Sequence, residues 1–214
     1  MYRNTTIPQS ASLTAPFTQG GLIIGITGGT GCGKTTLLKV IAENGGLILD
    51  CDAIYHELLA TDNAMLSTIE AQFPGTVENG ILQRKKLGSI VFSDEKALED
   101  LNKITHGAIK AEVIRRLAVK PELAAIDAIA LFEGGLAELC HVTVAVTAPE
   151  EVRVQRLMLR DNISEKYARS RIAAQHQDRW FREHCDCTLE NNSTEVQFRE
   201  KCLAFLKNMG IIVQ

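Results

Sequence analysis

The chain has 214 residues, a mass of 23.5 kDa, a formal net charge of −3 and a pI near 6.0. That balance excludes a general nucleic-acid binder, which shows a basic excess, so an anionic partner has to be met by a local cluster of Lys and Arg. The length predicts one domain carrying inserted lobes at most, and 45% apolar residues suits an ordinary globular core.

The opening "MYRNTTIPQSASLTAPFTQG" is rich in Thr, Ser and Pro. It lacks the apolar centre of a signal peptide and the Arg-rich pattern of a transit peptide, so a disordered tail or expression remnant is expected over 1–20. No apolar run reaches bilayer-spanning length, which predicts a soluble protein. "GLIIGIT" at 21–27 predicts a buried strand, and after a Gly-rich loop a helix is expected from Lys34 to Glu43, closed by "NGG". "LILD" at 47–50 predicts a second strand, making 22–50 one βαβ unit with its strands paired in parallel. From 53 to about 120 the pattern is helical, and so long an interval between strands predicts an inserted lobe. Strands are expected again over 124–132 ("AAIDAIALF") and 142–148. "PEEVRVQRLMLRD" predicts a helix with Pro at its start and acids in its first turn, and "SEKYARSRIAAQ" another capped by Ser164. A strand near "CTLEN" and a C-terminal helix complete an α/β sandwich.

Six cysteines (Cys32, Cys51, Cys140, Cys185, Cys187 and Cys202) read as reduced thiols of a cytosolic protein. "HCDC" at 184–187 hints at zinc, but no second ligand pair follows at a finger-like spacing. Cys32, at the start of the helix after the loop, invites oxidation through the helix dipole; a small residue that fits there is the plainer reading.

"GITGGTGCGKTT" at 25–36 carries the chemistry. Gly28, Gly33, Lys34 and Thr35 fit G-x-x-x-x-G-K-[ST], between a predicted strand and a predicted helix. Glycines let backbone N–H groups turn inward around phosphate oxygens, and the helix points its positive end at the anion. Residues 29–36 (Gly29, Thr30, Gly31, Cys32, Gly33, Lys34, Thr35 and Thr36) are therefore expected to hold a nucleoside triphosphate, with Lys34 on its outer phosphates and the Thr35 hydroxyl on Mg²⁺.

The destination of the terminal phosphate is read elsewhere. A guanine-reading N-K-x-D is absent: "NKIT" at 102–105 has Thr where Asp belongs and lies in the helical lobe. A mechanical ATPase offers a hydrolytic Glu beside its metal-site Asp, whereas Asp127, the metal-site candidate in "AIDAI", has no acid next to it. A small-molecule kinase needs acceptor-facing carboxylates and mobile basic groups. "LDCD" supplies the first, at the carboxyl end of a strand where ligands gather, with Asp50 and Asp52 expected to point the same way from extended backbone. One such Asp reads equally as a helix cap; Asp52 is assigned the functional role. A carboxylate is too weak a base, by roughly 16 kcal/mol, to deprotonate an alcohol in the ground state, so it orients the hydroxyl and accepts its proton late. Arg153, Arg156 and Arg160, at i, i+3 and i+7, supply the second feature on one helix face, leading into Arg169 and Arg171. A solvated basic face is the plain alternative; Arg156 and Arg160 are assigned to transition-state charge stabilisation.

These residues resemble the dephospho-CoA kinase family from about 22 to 192, through "GITGGTGCGKTT", "LILDCDAI", "VFSD", "THGAI", "DAIALFEGGL", "RLMLRDNIS", "RIAAQ" and "LENN". The resemblance implies ATP-dependent, Mg²⁺-dependent phosphorylation of the ribose 3′-hydroxyl of dephospho-CoA in the cytoplasm. It implies a fold like that of the nucleotide kinases: a three-layer core with a parallel five-stranded sheet (about 21–52, 121–158 and 186–214), an acceptor lobe (53–120) and a lid (159–185). It makes Asp52 the catalytic carboxylate and Arg156 a lid-side cation with Arg160 close by; Thr27 lines the site, and His106 and Glu133 lie by the acceptor. Two departures fall near that acceptor site: Gly107 follows His106 where the family has Pro, and Ile129 replaces another Pro. A shikimate- or gluconate-like kinase and a nucleotide-binding regulatory module are the rival readings. A monomer or small homo-oligomer is expected, without nucleic-acid or membrane partners.

Overall fold

The computed structural model describes residues 21–212, and the tail expected over 1–20 lies outside them. In chain order the elements are β1 (Leu22–Thr27), α1 (Lys34–Glu43), β2 (Leu47–Asp50), α2 (Cys51–Thr61), α3 (Asn63–Gln72), β3 (Val77–Glu78), β4 (Ile81–Leu82), α4 (Arg84–Val91) and α5 (Glu95–Leu117). They continue as β5 (Leu123–Asp127), β6 (Val142–Thr147), α6 (Glu150–Asp161), α7 (Glu165–Ala173), α8 (Asp178–His184), β7 (Cys187–Glu190) and α9 (Glu195–Asn208). Five strands form one parallel sheet in the order β2-β5-β1-β6-β7, the α/β class expected from the sequence.

The order corrects one expectation. β1 and β2 share the sheet but do not pair, because β5 lies between them, with Asp127 opposite both Ile26 of β1 and Asp50 of β2. The carboxyl ends of β1, β5 and β2 therefore stand side by side, which puts the loop after β1, Asp127 and Asp50 along one edge. The strand expected over 124–132 also stops early. Ala128 N–H makes the last ladder bond, to the Ile26 carbonyl, and the chain then closes turns through Gly134 N–H to Ala130 and Gly135 N–H to Phe132. The apolar run misleads because Leu131 is buried against the lobe instead of continuing the ladder.

Alternation along the strands sends side chains into two cores. Ile24, Ile26, Val144 and Val146 meet Leu37, Val40 and Ile41 of α1 and Phe198, Cys202, Phe205 and Leu206 of α9. Each full burial of an Ile, Leu or Phe side chain stabilises the fold by about 1.5–3 kcal/mol. On the other face Leu49 and Ile126 pack with Ile54, Ile69, Leu87 and Val113, so the helical lobe is built onto the sheet through its own core. Val154, Leu157, Ala168 and Ile172 join α6 to α7 in a third, smaller cluster.

Three elements, β3, β4 and α8, are absent from the expectations above. The β3–β4 hairpin turns at Asn79-Gly80, with φ of 52° and 74°, the pair of positive values that favours Asn-Gly in a two-residue hairpin. The seven-residue α8 buries Phe181. The long lobe helix α5 runs unbroken through Gly107, where an added Cβ meets nothing within 4 Å. Among the described residues no helix is long and apolar enough to cross a membrane.

Candidate active site

β1 ends at Thr27 and delivers the loop 28–33 onto the N-terminus of α1. Gly33, the residue before the helix, has φ 93°, and a Cβ there would lie 2.3 Å from Asn191 Nδ2, so the motif's last glycine is required by backbone and space alike. Lys34 Nζ donates to the Gly28 carbonyl at 2.8 Å, which holds the ammonium over the loop. A cavity of about 790 Å³ opens in front of it, lined by Thr30, Gly31, Gly33, Lys34 and Thr35 from the loop and helix, and by Asp50, Asp52 and Asp127 from the strand ends. Arg156, Arg160 and Arg171 line its other side.

Asp50, the last residue of β2, is extended, but Asp52 is helical, so the two do not project from one extended segment. Asp50 is the N-cap of α2, its carboxylate accepting from the N–H groups of Asp52 and Ala53 at 3.0 Å each, and Asp52 sits in the first turn of the helix. The cap reading is thus right for Asp50. Asp52 nevertheless reaches the cavity, because the helix begins at the strand's last residue.

A second cavity, about 280 Å³, lies between α2, α5 and the turn after β5, lined by Cys51, Asp52, Tyr55, Asn102, Thr105 and His106 among others. The two cavities share Asp52, Ala128 and Ile129. Asp52 is the one ionisable side chain common to both linings.

Asp127 has a distinct environment. Burial pushes its carboxyl up to about 6, with Lys34 opposing the shift and Asp50 and Asp52 adding to it, and its Oδ1 is buried without a hydrogen-bond partner. An orphaned carboxylate oxygen in a cavity that also contains the Thr35 hydroxyl is a hard-oxygen donor set that fits Mg²⁺. Among the described residues no cluster of three or more His, Cys, Asp or Glu side chains forms a metal cage. Mg²⁺ commonly takes one or two protein ligands with substrate phosphates supplying others, so the donor set remains suitable.

The raised pKa has a stability consequence. The unfolded carboxyl titrates near 3.8 and the native one near 6, so the native state holds the extra proton between them; the Asp127 contribution to stability is fully present below about 3.8 and is lost as pH rises through about 6. Asp127→Asn is therefore expected to stabilise the metal-free protein by up to about 3 kcal/mol at pH 8 and hardly at all at pH 4. Urea unfolding at both values checks this, and a gain that does not depend on pH contradicts it.

The remaining sequence candidates divide. Arg156 Nη1 donates to the Gly31 and Cys32 carbonyls at 3.3 Å each. Arg160 lies at the cavity rim with its guanidinium on Asp161 at 2.7 Å, and Arg171 reaches the same carboxylate at 2.6 Å. Arg160, then Arg171, hold the Asp161 carboxyl down at about 2. The helix-face reading that grouped Arg153 with them needs correction: Arg153 is buried behind the loop and lines neither cavity. Thr27 is fully buried and donates to the Ile129 carbonyl at 3.3 Å. His106 lines the smaller cavity, whereas Glu133 lines neither and meets His176 Nε2 at 2.9 Å. Gly29, Cys32 and Thr36 are not part of the cavity wall. Cys32 is fully buried, and burial raises its thiol pKa despite Arg153 and Lys34, which removes the thiolate that oxidation would need. Gln175 and Asn191 carried no assignment in the sequence reading, and each bonds the loop.

The family model for dephospho-CoA kinase, CoaE, matches residues 22–197. The chain is 33% identical over 194 residues to the dephospho-CoA kinase of Syntrophotalea carbinolica, covering 88% of this chain and 92% of that one. It is 39% identical over 163 residues to the dephospho-CoA kinase of Moorella thermoacetica, covering 73% and 77%. The solved structure of TT1252 from Thermus thermophilus superposes with a TM-score of 0.76 at 30% identity, covering 89% of this chain and 98% of that one. With the family model matched over most of the chain and relatives 33% and 39% identical across more than two thirds of it, the protein belongs to the dephospho-CoA kinase family.

Proposed function

We propose that the protein transfers the terminal phosphoryl group of ATP to the ribose 3′-hydroxyl of dephospho-CoA, giving coenzyme A and ADP. One observation carries the reading: Asp52 stands on the boundary between a cavity built from the phosphate loop and a cavity built from the helical lobe. A phosphoryl group that passes from a donor in the first to an acceptor in the second passes Asp52.

Residues divide the work accordingly. Amides of the loop and Lys34 bind the triphosphate, and the N-terminus of α1 adds its positive end. Asp52 orients the acceptor hydroxyl in line with the phosphorus and takes its proton late, once bonding to phosphorus has made that oxygen acidic. Arg156, with Arg160 and Arg171 beside it, faces the charge that spreads over the transferred group. Thr35 and Asp127 would hold Mg²⁺, which when bound neutralises phosphate charge. The smaller cavity, at the low end of the range for ligand sites, takes the reacting part of the acceptor, with Tyr55, Asn102 and His106 placed to contact it.

The helical segment 53–120 is then the acceptor lobe and 159–185 the lid. The reading also carries a cytoplasmic location and a monomer or small homo-oligomer, with small molecules as partners. ADP release with and without dephospho-CoA tests it: the expected result is turnover that depends on dephospho-CoA. ADP release that is indifferent to this acceptor would overturn it.

A further inference from the structure

The loop's carbonyl side is held by polar side chains to which the proposed function gives no part. Arg153 and Asn191 are each 4% exposed, and neither they nor Gln175 lines the cavity. Arg153 Nε donates to the Thr30 carbonyl at 2.9 Å, and Gln175 Oε1 accepts from the Thr30 N–H at 2.7 Å. The same Gln175 oxygen lies 3.5 Å from Arg153 Nη2, and Asp178 lies 3.6 Å from Nη1, so the guanidinium is anchored at all three nitrogens. Asn191 Nδ2 donates to the Cys32 carbonyl at 2.9 Å, while its Oδ1 accepts from Arg156 at 3.2 Å.

Peptide geometry turns these contacts into a statement about the anion site. Across a planar trans peptide, the carbonyl of one residue and the N–H of the next point in opposite directions. Holding the Thr30 carbonyl on Arg153 therefore turns the Gly31 N–H the other way, and holding the Cys32 carbonyl on Asn191 does the same for the Gly33 N–H. Gly31 and Gly33 both line the cavity. Space in the loop is set by the same side chains: Gly29 has no positive φ to require it, yet a Cβ there would lie 2.2 Å from Arg153 Nη2. Amides aimed before the anion arrives bind it without first losing conformational freedom.

We propose that Arg153, Gln175 and Asn191 are positioning residues that clamp the loop's outward polar groups and so aim the Gly31 and Gly33 amides at the triphosphate. Arg153 lies on α6 and Gln175 just after α7, helices joined by their own apolar cluster, so the clamp ties the shape of the loop to the packing of these helices. The proposal rests on the loop holding a triphosphate and is independent of which acceptor is phosphorylated.

The test is equilibrium binding without acceptor, using ATP, inorganic tripolyphosphate and adenosine (by competition), together with thermal unfolding. Gln175→Met keeps the side-chain length and removes the acceptor oxygen; Arg153→Lys keeps the charge and removes the planar fork; Asn191→Ala removes the shorter of the Cys32 carbonyl's two side-chain hydrogen bonds, the other coming from Arg156. Each is expected to weaken ATP and tripolyphosphate about fivefold or more, the scale of one lost hydrogen bond, with adenosine within about twofold of wild type. Anion affinity within about twofold of wild type in the folded variants would overturn the proposal. So would an equal loss for adenosine, because that reports general loosening. If one variant does not fold, the other two decide between these outcomes. Absence of dephospho-CoA turnover in the wild type would sink the acceptor assignment and leave this comparison standing.

Discussion

Asp52→Asn is expected to lower kcat by about 10²–10⁴-fold while ATP affinity stays within about threefold, because the amide keeps the shape but cannot accept the acceptor's proton. The side chain is exposed, so no core is disturbed. Its position in the first turn of α2 makes the lost charge worth about 0.3–1 kcal/mol of helix stability, too little to unfold the protein. Single-turnover kinetics at saturating ATP and dephospho-CoA isolate the chemical step. A kcat within threefold of wild type would show that the junction of the two cavities is not where the proton is handled.

Lys34→Ala is expected to lower kcat/KM for ATP by about 10²–10³-fold. Its ammonium sits on the Gly28 carbonyl at the head of the loop, within the cavity wall, and in the proposed function it is the cation that the loop itself contributes to the triphosphate. Removing it leaves Arg156, Arg160 and Arg171 as the cavity's positive charges, and two of these also share Asp161. KM for dephospho-CoA should change by less than about threefold, since Lys34 does not line the smaller cavity. Unchanged ATP kinetics would remove the loop from the mechanism.

Much of the fold and the site is legible in the chain because the signals are local. β1 and β6 are short runs rich in Ile, Val and Thr, and the Gly-x-x-x-x-Gly-Lys-Thr spacing carries its own backbone requirement. What stays hidden depends on contacts distant in sequence. Nothing in residues 22–50 says that β5, more than seventy residues later, inserts between β1 and β2. The end of β5 at Asp127 is set by the turns that Gly134 N–H and Gly135 N–H close onto Ala130 and Phe132 and by burial of Leu131, so the run "AIALF" could not show it. Arg153 and Arg160 share a helix stripe, yet one is buried by the loop and residues 175–178 while the other faces solvent; periodicity reports the face and not what covers it. Glu133 meets a histidine 43 residues away. Two further features are readable from local signals alone. Asp50 before an apolar helical run is a cap signal, and Asn79-Gly80 is a hairpin signal.

The same contrast separates the donor side of the reaction from the acceptor side. The proposed binding of the triphosphate rests on a motif of which Thr30, Gly31, Gly33, Lys34 and Thr35 line one cavity. The acceptor is read from the second cavity, whose wall carries Ile129 where the family resemblance has Pro. The most direct measurement is therefore the position of the new phosphate: incubation with ATP, Mg²⁺ and dephospho-CoA, alongside shikimate, gluconate and nucleosides, followed by mass and ³¹P NMR analysis of the product. The expected result is a single product, dephospho-CoA heavier by one phosphoryl group on the ribose 3′-oxygen. A phosphate on another acceptor, or on another oxygen of this one, would contradict the proposed function.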